Sequence, residues 1–278
     1  MTFVLSQSNY GKSAVRLVKV VRDEGRHELS DVTVEVMLDG DFRAAHDEGD
    51  NSALIATDTM RNAVYVLAAK HDVSELETFG RALVEHFVVA GPTVQRAQVR
   101  LVAHPWARLG EHEHAFQRGA GGERIAVVSG DGHSSRIEAG VEGLEVLRTT
   151  GSGWSGFVHD ELTTLPETDD RILATAVSAR WSYAEGGIDY AAAWQAARDA
   201  ILEAFGDHYS PSVQFTLRRM GRAVLKAVDA IDRVRLSLPN RHHLLYDLSR
   251  FGLENPNEVF QATTEPYGLI EGTVEREQ

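Results

Sequence analysis

The stretch Ser237-Leu238-Pro239-Asn240-Arg241-His242-His243 sets a carboxamide and an imidazole two positions apart, after a proline that closes the preceding strand segment. In extended backbone, positions i and i+2 share one side. Asn240 and His242 therefore point together, and His243 alternates to the opposite side as a structural residue. A carboxamide beside a titratable ring can read a flat heterocycle and move a proton. Tyr10-Gly11-Lys12 adds an ammonium group, and Ala56-Thr57-Asp58-Thr59 adds hydroxyls where a helical pattern begins. Thr57 or Asp58 there reads as an N-cap, at a helix end that favours anions. Together these groups describe an enzyme that needs no built-in metal or organic cofactor.

Composition removes other chemistries. The chain has 278 residues and no cysteine, which excludes disulfides, thiolate nucleophiles, iron–sulfur clusters and Cys-ligated zinc. A formal charge of −13 argues against broad nucleic-acid or anionic-membrane binding. It does not set the sign of a single buried pocket. No apolar run reaches the length of a spanning helix. Met1-Thr2-Phe3-Val4-Leu5 lacks the pattern of a signal peptide, so a cytoplasmic protein is expected. Two letter patterns are decoys. Gly151-x-Gly-x-x-Gly156 matches a dinucleotide fingerprint but leads into no helix. His112-Glu113-His114 lies in a polar loop with an incomplete ligand set for a metal.

The elements that must position these groups come in blocks. Val32, Val34, Val36 and Leu38 alternate as a strand, with Ala14–Val21 as hairpin partner. Met60, Val64, Leu67 and Ala68 fall at helical spacing, then Leu76, Phe79, Leu83 and Phe87, ended by Gly91-Pro92. Strand alternation returns at Val99, Leu101 and Ala103 and at Ile125–Val128. The second half repeats this order. Strands are read at Leu144–Thr150 and Val177–Tyr183. One helix carries Trp194, Arg198, Ile201 and Phe205, the next Leu217, Met220, Val224, Val228 and Ile231. Closing strands are Val234–Leu238, His243–Leu248 and Leu269–Val274. The order ββααββ, twice, predicts an α+β fold of two tandem domains, residues 1–135 and 136–278. Each has an antiparallel four-stranded sheet with two helices on one face. Open sheet edges invite pairing with other chains, so oligomerisation is expected.

Read in order, these segments resemble the urate oxidase (uricase) family of tunnelling-fold enzymes. The resemblance rests on Tyr10-Gly11-Lys12, Asp50-Asn51, Ala56-Thr57-Asp58-Thr59, Gly143-Leu144-Glu145-Val146-Leu147, Gly156-Phe157 and Thr163-Thr164-Leu165. It continues through Asp170-Arg171-Ile172-Leu173-Ala174-Thr175, Ser212-Val213-Gln214, the Asn240–His243 stretch and Asn257-Glu258-Val259-Phe260. It implies oxidation of urate by O2 to 5-hydroxyisourate and hydrogen peroxide, without a cofactor and without a metal. Arg171 and Gln214 would grip the anion's polar edges, helped by the backbone N–H of Val213 and Asp58. Trp154 would stack on the purine, where the family carries phenylalanine, and Leu165 would pack alongside. Lys12, Thr57 and His242 would relay protons, and Asn240 would hold O2 or its replacement water. The resemblance also implies a homotetramer in which Thr57 and Asp58 come from the neighbouring subunit.

Each residue has a plainer reading beside this one. Arg171 follows Asp169-Asp170 and could simply pair with an acid. Thr57 could be only a cap, Lys12 a solvated charge, and Trp154 a packing anchor on a glycine-rich loop. A non-catalytic purine-binding protein of the same fold would keep Arg171, Gln214 and Trp154 without any relay. A related zinc enzyme acting on pterins would need the thiolate ligand that this chain lacks.

Overall fold

The computed structural model describes residues 3–23, 25–184 and 187–277. Met1, Thr2 and Gln278, on which the terminal readings partly fell, lie outside the described residues. The chain forms two compact units, Met1–Gly140 and Val141–Gln278.

In the first unit the elements are β1 (Asn9–Asp23), β2 (Arg26–Gly40), a short α1 (Arg43–Asp47), α2 (Thr57–Lys70), α3 (Leu76–Ala90) and β3 (Val94–Ala103). A small hairpin, β4 (Trp106–Arg108) and β5 (Phe116–Arg118), precedes β6 (Glu123–Gly130). Antiparallel pairing gives the sheet order β1-β2-β3-β6. The alternation read in β2 is real. Val32, Val34, Val36 and Leu38 are buried, while Thr33, Glu35, Met37 and Asp39 on the other face are only half-buried. On α3 the stripe Leu76, Phe79, Leu83 and Phe87 is fully buried, each such side chain contributing about 1.5–3 kcal/mol of burial free energy.

Strand β7 (Ser135–Arg148) begins in the first unit and ends in the second. The second unit continues with β8 (Leu173–Tyr183), α4 (Tyr190–Gly206), α5 (Val213–Ala227), β9 (Ile231–Arg241), β10 (His243–Leu245), β11 (Phe260–Ala262) and β12 (Gly268–Glu275). The sheet order is β7-β8-β9-β12, and β10 pairs with β11 in a separate ribbon. The core side of α5 is Val213, Leu217, Met220 and Val224. The ββααββ order thus occurs twice, as two α+β domains.

Several local expectations need correction. Val228 and Ile231 are not helical: α5 stops at Ala227, and Ile231 opens β9. The strand expected over His243–Leu248 ends at Leu245. Pro239 does not close a strand but lies inside β9. The β8–β9 ladder pairs Thr175 with Asn240 and Ser178 with Ser237, skipping the two positions between, where Pro239 has no N–H to donate. Its pairing with Leu269 on the β12 side is uninterrupted, so the strand runs through the proline and delivers Asn240 at its end.

Candidate active site

The second unit holds a cavity of about 570 Å3, within the usual size for a small-molecule site. Trp154, Arg171, Val213 and Gln214 line one part of it, Asn240 and His242 another, and the exposed Leu165 contributes to its wall. The structure therefore brings together all seven binding or catalytic residues expected in this half of the chain.

Three irregular segments are laced together to make the walls. Gly153 N–H donates to the Ser210 carbonyl at 2.8 Å, and Ser210 N–H to the Gly151 carbonyl at 2.8 Å. Trp154 and Thr168 exchange backbone hydrogen bonds of 2.7 and 3.0 Å, and Arg171 N–H donates to the Ser152 carbonyl at 2.8 Å. The Tyr209 hydroxyl donates to the Asp169 carbonyl at 2.8 Å. A Cβ at Gly153 would lie 2.2 Å from that same Tyr209 oxygen, so only glycine allows this close approach. Arg148 adds donors to the carbonyls of Thr150, Phe205 and His208. With no helical or strand period, these turns and bridges still fix Trp154 and Arg171 side by side.

The plainer reading of Arg171, an ion pair with a neighbouring acid, is not seen among the described residues. The Asp170 carboxylate is taken by the Thr150 hydroxyl at 2.7 Å and the Gly151 N–H at 3.2 Å. Among the described residues Arg171 forms no ion pair, and its buried Nε has no hydrogen-bond partner. Its Cζ lies 5.9 Å from the Trp154 ring centroid, a cation–π distance. Burial pushes its pKa below the ordinary value, partly opposed by Tyr209, yet a guanidinium stays charged at neutral pH. A half-buried cation without a counter-ion is costly, and an anion in the cavity would relieve that cost. Trp154 is backed by Phe157, stacked at 5.6 Å and 11°, which steadies the ring as a flat wall.

The first turn of α5 also lines the cavity. Ser212 is the N-cap of this helix and accepts from Phe215 N–H at 3.1 Å. The N–H groups of Val213 and Gln214, the first two helical residues, have no intrahelical acceptor. They add donors and the positive end of the helix dipole to the site. Asn240 is buried at 9% exposure. The His242 carbonyl is held by Thr263 N–H at 2.9 Å, while Arg241, turned elsewhere, pairs with Glu145 at 2.7 Å.

Lys12, Thr57 and Asp58 belong to the first unit. Lys12 pairs with Val36 in β1, and a β-bulge follows at once, since Val15 is the next paired residue and opposes Val34. Ala14 there has φ of 57°. Such a bulge re-aims neighbouring side chains. Gly11 is needed beside it, because a Cβ would fall 1.8 Å from the Val36 carbonyl oxygen. Neither Thr57 nor Asp58 is the N-cap of α2; Ala56 is, with no side-chain cap. Thr57 is the first helical residue and exposed, and Asp58 turns its carboxylate to Arg61 at 2.7 Å. Their backbone donors are left open. Helix α2 is pinned along β1: Ile55 N–H donates to the Tyr10 hydroxyl at 2.8 Å, the Tyr65 hydroxyl to the Arg16 carbonyl at 3.0 Å, and Lys19 Nζ to the Ala68 carbonyl at 2.9 Å. The Lys12 and Thr57 segments are thereby held in one frame.

Among the lining residues given no site role by the sequence reading are two polar ones, His243 and Asn257. His243 lines the cavity along with His242, because the strand breaks at His242 and strict alternation fails there. Asn257 also lines it, with φ of 66°, a conformation that asparagine tolerates. His112, Glu113 and His114 are exposed, as a solvated loop should be. No helix among the described residues is long and apolar enough to cross a membrane.

Comparison with known proteins matches this geometry to one family. The uricase family model covers residues 8–129 and 137–271. The uricase of Arthrobacter globiformis is 46% identical over 274 residues, spanning 99% of this chain and 90% of its own. That of Dictyostelium discoideum is 37% identical, over 98% of this chain and 97% of its own. The crystal structure of the Arthrobacter globiformis uricase superposes with a TM-score of 0.95, covering 100% of this chain and 96% of that one. The urate oxidase of Bacillus sp. TB-90, at 20% identity and a TM-score of 0.85, shares the fold over 97% of this chain and 100% of its own. The two α+β units are tandem tunnelling-fold domains, and the chain belongs to the uricase family.

Proposed function

We propose that the cavity binds urate as a flat anion and that the enzyme oxidises it with O2 to 5-hydroxyisourate and hydrogen peroxide. Two electrons pass from urate to O2, a water oxygen adds to the purine, and two protons leave with the peroxide. The observation that carries this reading is Arg171, half-buried, without an ion-pair partner among the described residues, and set beside the Trp154 face. Its planar fork suits a delocalised anion better than a point charge does. Gln214 and the Val213 N–H hold the opposite edge, Trp154 stacks, Leu165 packs, and Asn240 holds O2 or water above the ring.

Lys12, Thr57 and His242 form the proton relay, whose task is to deprotonate urate so that electron transfer to O2 becomes feasible. We place the working enzyme as a homotetramer, with the partner subunit's Thr57 and Asp58 completing each site. The exposed, uncapped start of α2 supports this, as do exposed apolar side chains at Leu244, Leu245, Phe251 and Leu253. Because the Tyr10–Ile55 hydrogen bond joins their segments, Lys12 and Thr57 come from the same protomer. Chemistry of this kind needs no metal or organic cofactor, and the cysteine-free composition suits a cytoplasmic enzyme.

The test is oxygen uptake, urate absorbance and peroxide release from chelator-dialysed, flavin-free protein under air, with the solution mass measured in parallel. Turnover by a tetramer is expected. His242→Ala and Lys12→Met should each lower kcat by about 10²-fold or more, the range of a lost acid–base group. Urate binding without oxygen uptake would instead mark a non-catalytic purine-binding protein.

A further inference from the structure

Behind the cavity wall lies a chain of hydroxyls that touches none of the proposed substrate. Thr216 Oγ1 donates to Ser210 Oγ at 2.8 Å, and Ser210 Oγ donates to the Ser212 carbonyl at 3.1 Å. With both protons so committed, Thr216 accepts from the Nε2–H of His208 at 2.8 Å. This fixes the His208 tautomer, and burial together with Arg219 and Arg148 keeps the ring below its ordinary pKa. Ser210 is 0% exposed and Thr216 1%.

Two members of the chain tie it to the two segments that carry the site residues. The Ser210 backbone is bonded to Gly151 and Gly153, in the irregular segment that carries Trp154 and whose Ser152 carbonyl receives Arg171 N–H. Ser212 is the N-cap of α5, and Thr216 sits one turn into that helix, behind Val213 and Gln214. We infer that the Thr216–Ser210 hydroxyl pair, oriented by His208, is a positioning element that sets the spacing between the Arg171–Trp154 wall and the α5 wall. Beside it the two segments are joined by backbone bridges, by the Tyr209 hydroxyl on the Asp169 carbonyl and by Arg148, none of which reaches the first turn of α5 itself. This rests on the reading of the cavity as the urate site.

A clamp that slips weakens ground state and transition state alike, so its loss should appear in KM rather than kcat. A hydroxyl that served only global stability would reduce the active fraction, and hence apparent kcat, with KM unmoved. In the full-length enzyme, Thr216→Val should raise KM for urate about tenfold with kcat within about twofold of wild type. Thr216→Ser, which keeps the hydroxyl, should return KM to within about twofold. An unchanged KM in Thr216→Val, or a Thr216→Ser enzyme as impaired as Thr216→Val, overturns the inference. Should Thr216→Val not fold, Ser210→Ala decides by the same KM measurement, a wild-type value overturning the inference. Wild-type enzyme without urate turnover would overturn the reading of the cavity itself.

Discussion

Arg124 in the first unit and Arg171 in the second are guanidinium groups withdrawn from water, and the fold treats them in opposite ways. Arg124, on β6, meets Glu77 in the first turn of α3 at 2.6 Å, with the carboxylate 0% and the arginine 14% exposed. Glu77 also stands at the positive end of its helix. That pair fastens a helix to a sheet. Arg171 has two aspartates immediately before it in sequence and pairs with neither among the described residues, and the Oδ1 of Asp170 accepts from Thr150 and Gly151 instead. A buried charge with a partner holds the fold together. A half-buried charge without such a partner among the described residues is, on the proposed function, the group that meets the substrate anion.

Breaking the partnered cation should show the larger effect, and in stability alone. Glu77→Ala leaves Arg124 without its carboxylate, which costs about 3–5 kcal/mol by the usual penalty for orphaning one member of a buried pair. The midpoint of chemical unfolding should fall accordingly, with KM for urate unchanged in the folded fraction. A shift in KM at constant midpoint would contradict the assignment.

Removing the unpartnered cation should do the reverse. On the proposed function, Arg171→Ala would delete two charge-assisted hydrogen bonds to the anion, together about 3–4 kcal/mol. That corresponds to a fall in kcat/KM of about 10²–10³-fold. Stability should stay level or rise, since an uncompensated buried charge disappears. Urea unfolding and steady-state kinetics on the same preparation separate the two cases. If Arg171→Ala lowers the midpoint as far as Glu77→Ala does and leaves KM intact, the contrast is wrong.

The periodic parts of the molecule were legible from residue types alone. Val32 to Leu38 and the α3 stripe declare their buried faces, because a strand repeats every two residues and a helix every 3.6. The conjunction of Asn240 and His242 was also legible, but the proline before them misled. A missing N–H reads as a strand end, and here the neighbour on one side simply skips two pairs. What could not be read was the segment from Gly151 to Arg171, whose shape comes from bridges to Thr168, Asp169 and Ser210 with no repeat to announce them. For the same reason sequence alone left an ion pair of Arg171 with Asp169-Asp170 open beside its reading as an anion contact. Where a carboxylate points depends on donors distant in sequence, here Thr150 and Gly151.

The finest test concerns the companion that Arg171 does have. Arg124 faces a carboxylate, whereas Arg171 faces the π-surface of Trp154 with its Cζ 5.9 Å from the ring centroid, near the outer limit of such contacts. Trp154→Phe keeps an aromatic wall and the stacking partner Phe157 but offers the guanidinium a smaller, weaker quadrupole. The difference is worth about 0.5–1 kcal/mol, so KM for urate should rise about two- to fivefold with kcat nearly unchanged. The sign is informative in either direction. A rise means that the indole helps hold Arg171 in place for the anion. A fall means that the larger ring crowds the cavity, and that Arg171 is positioned by its backbone bond to Ser152 and not by the ring beneath it.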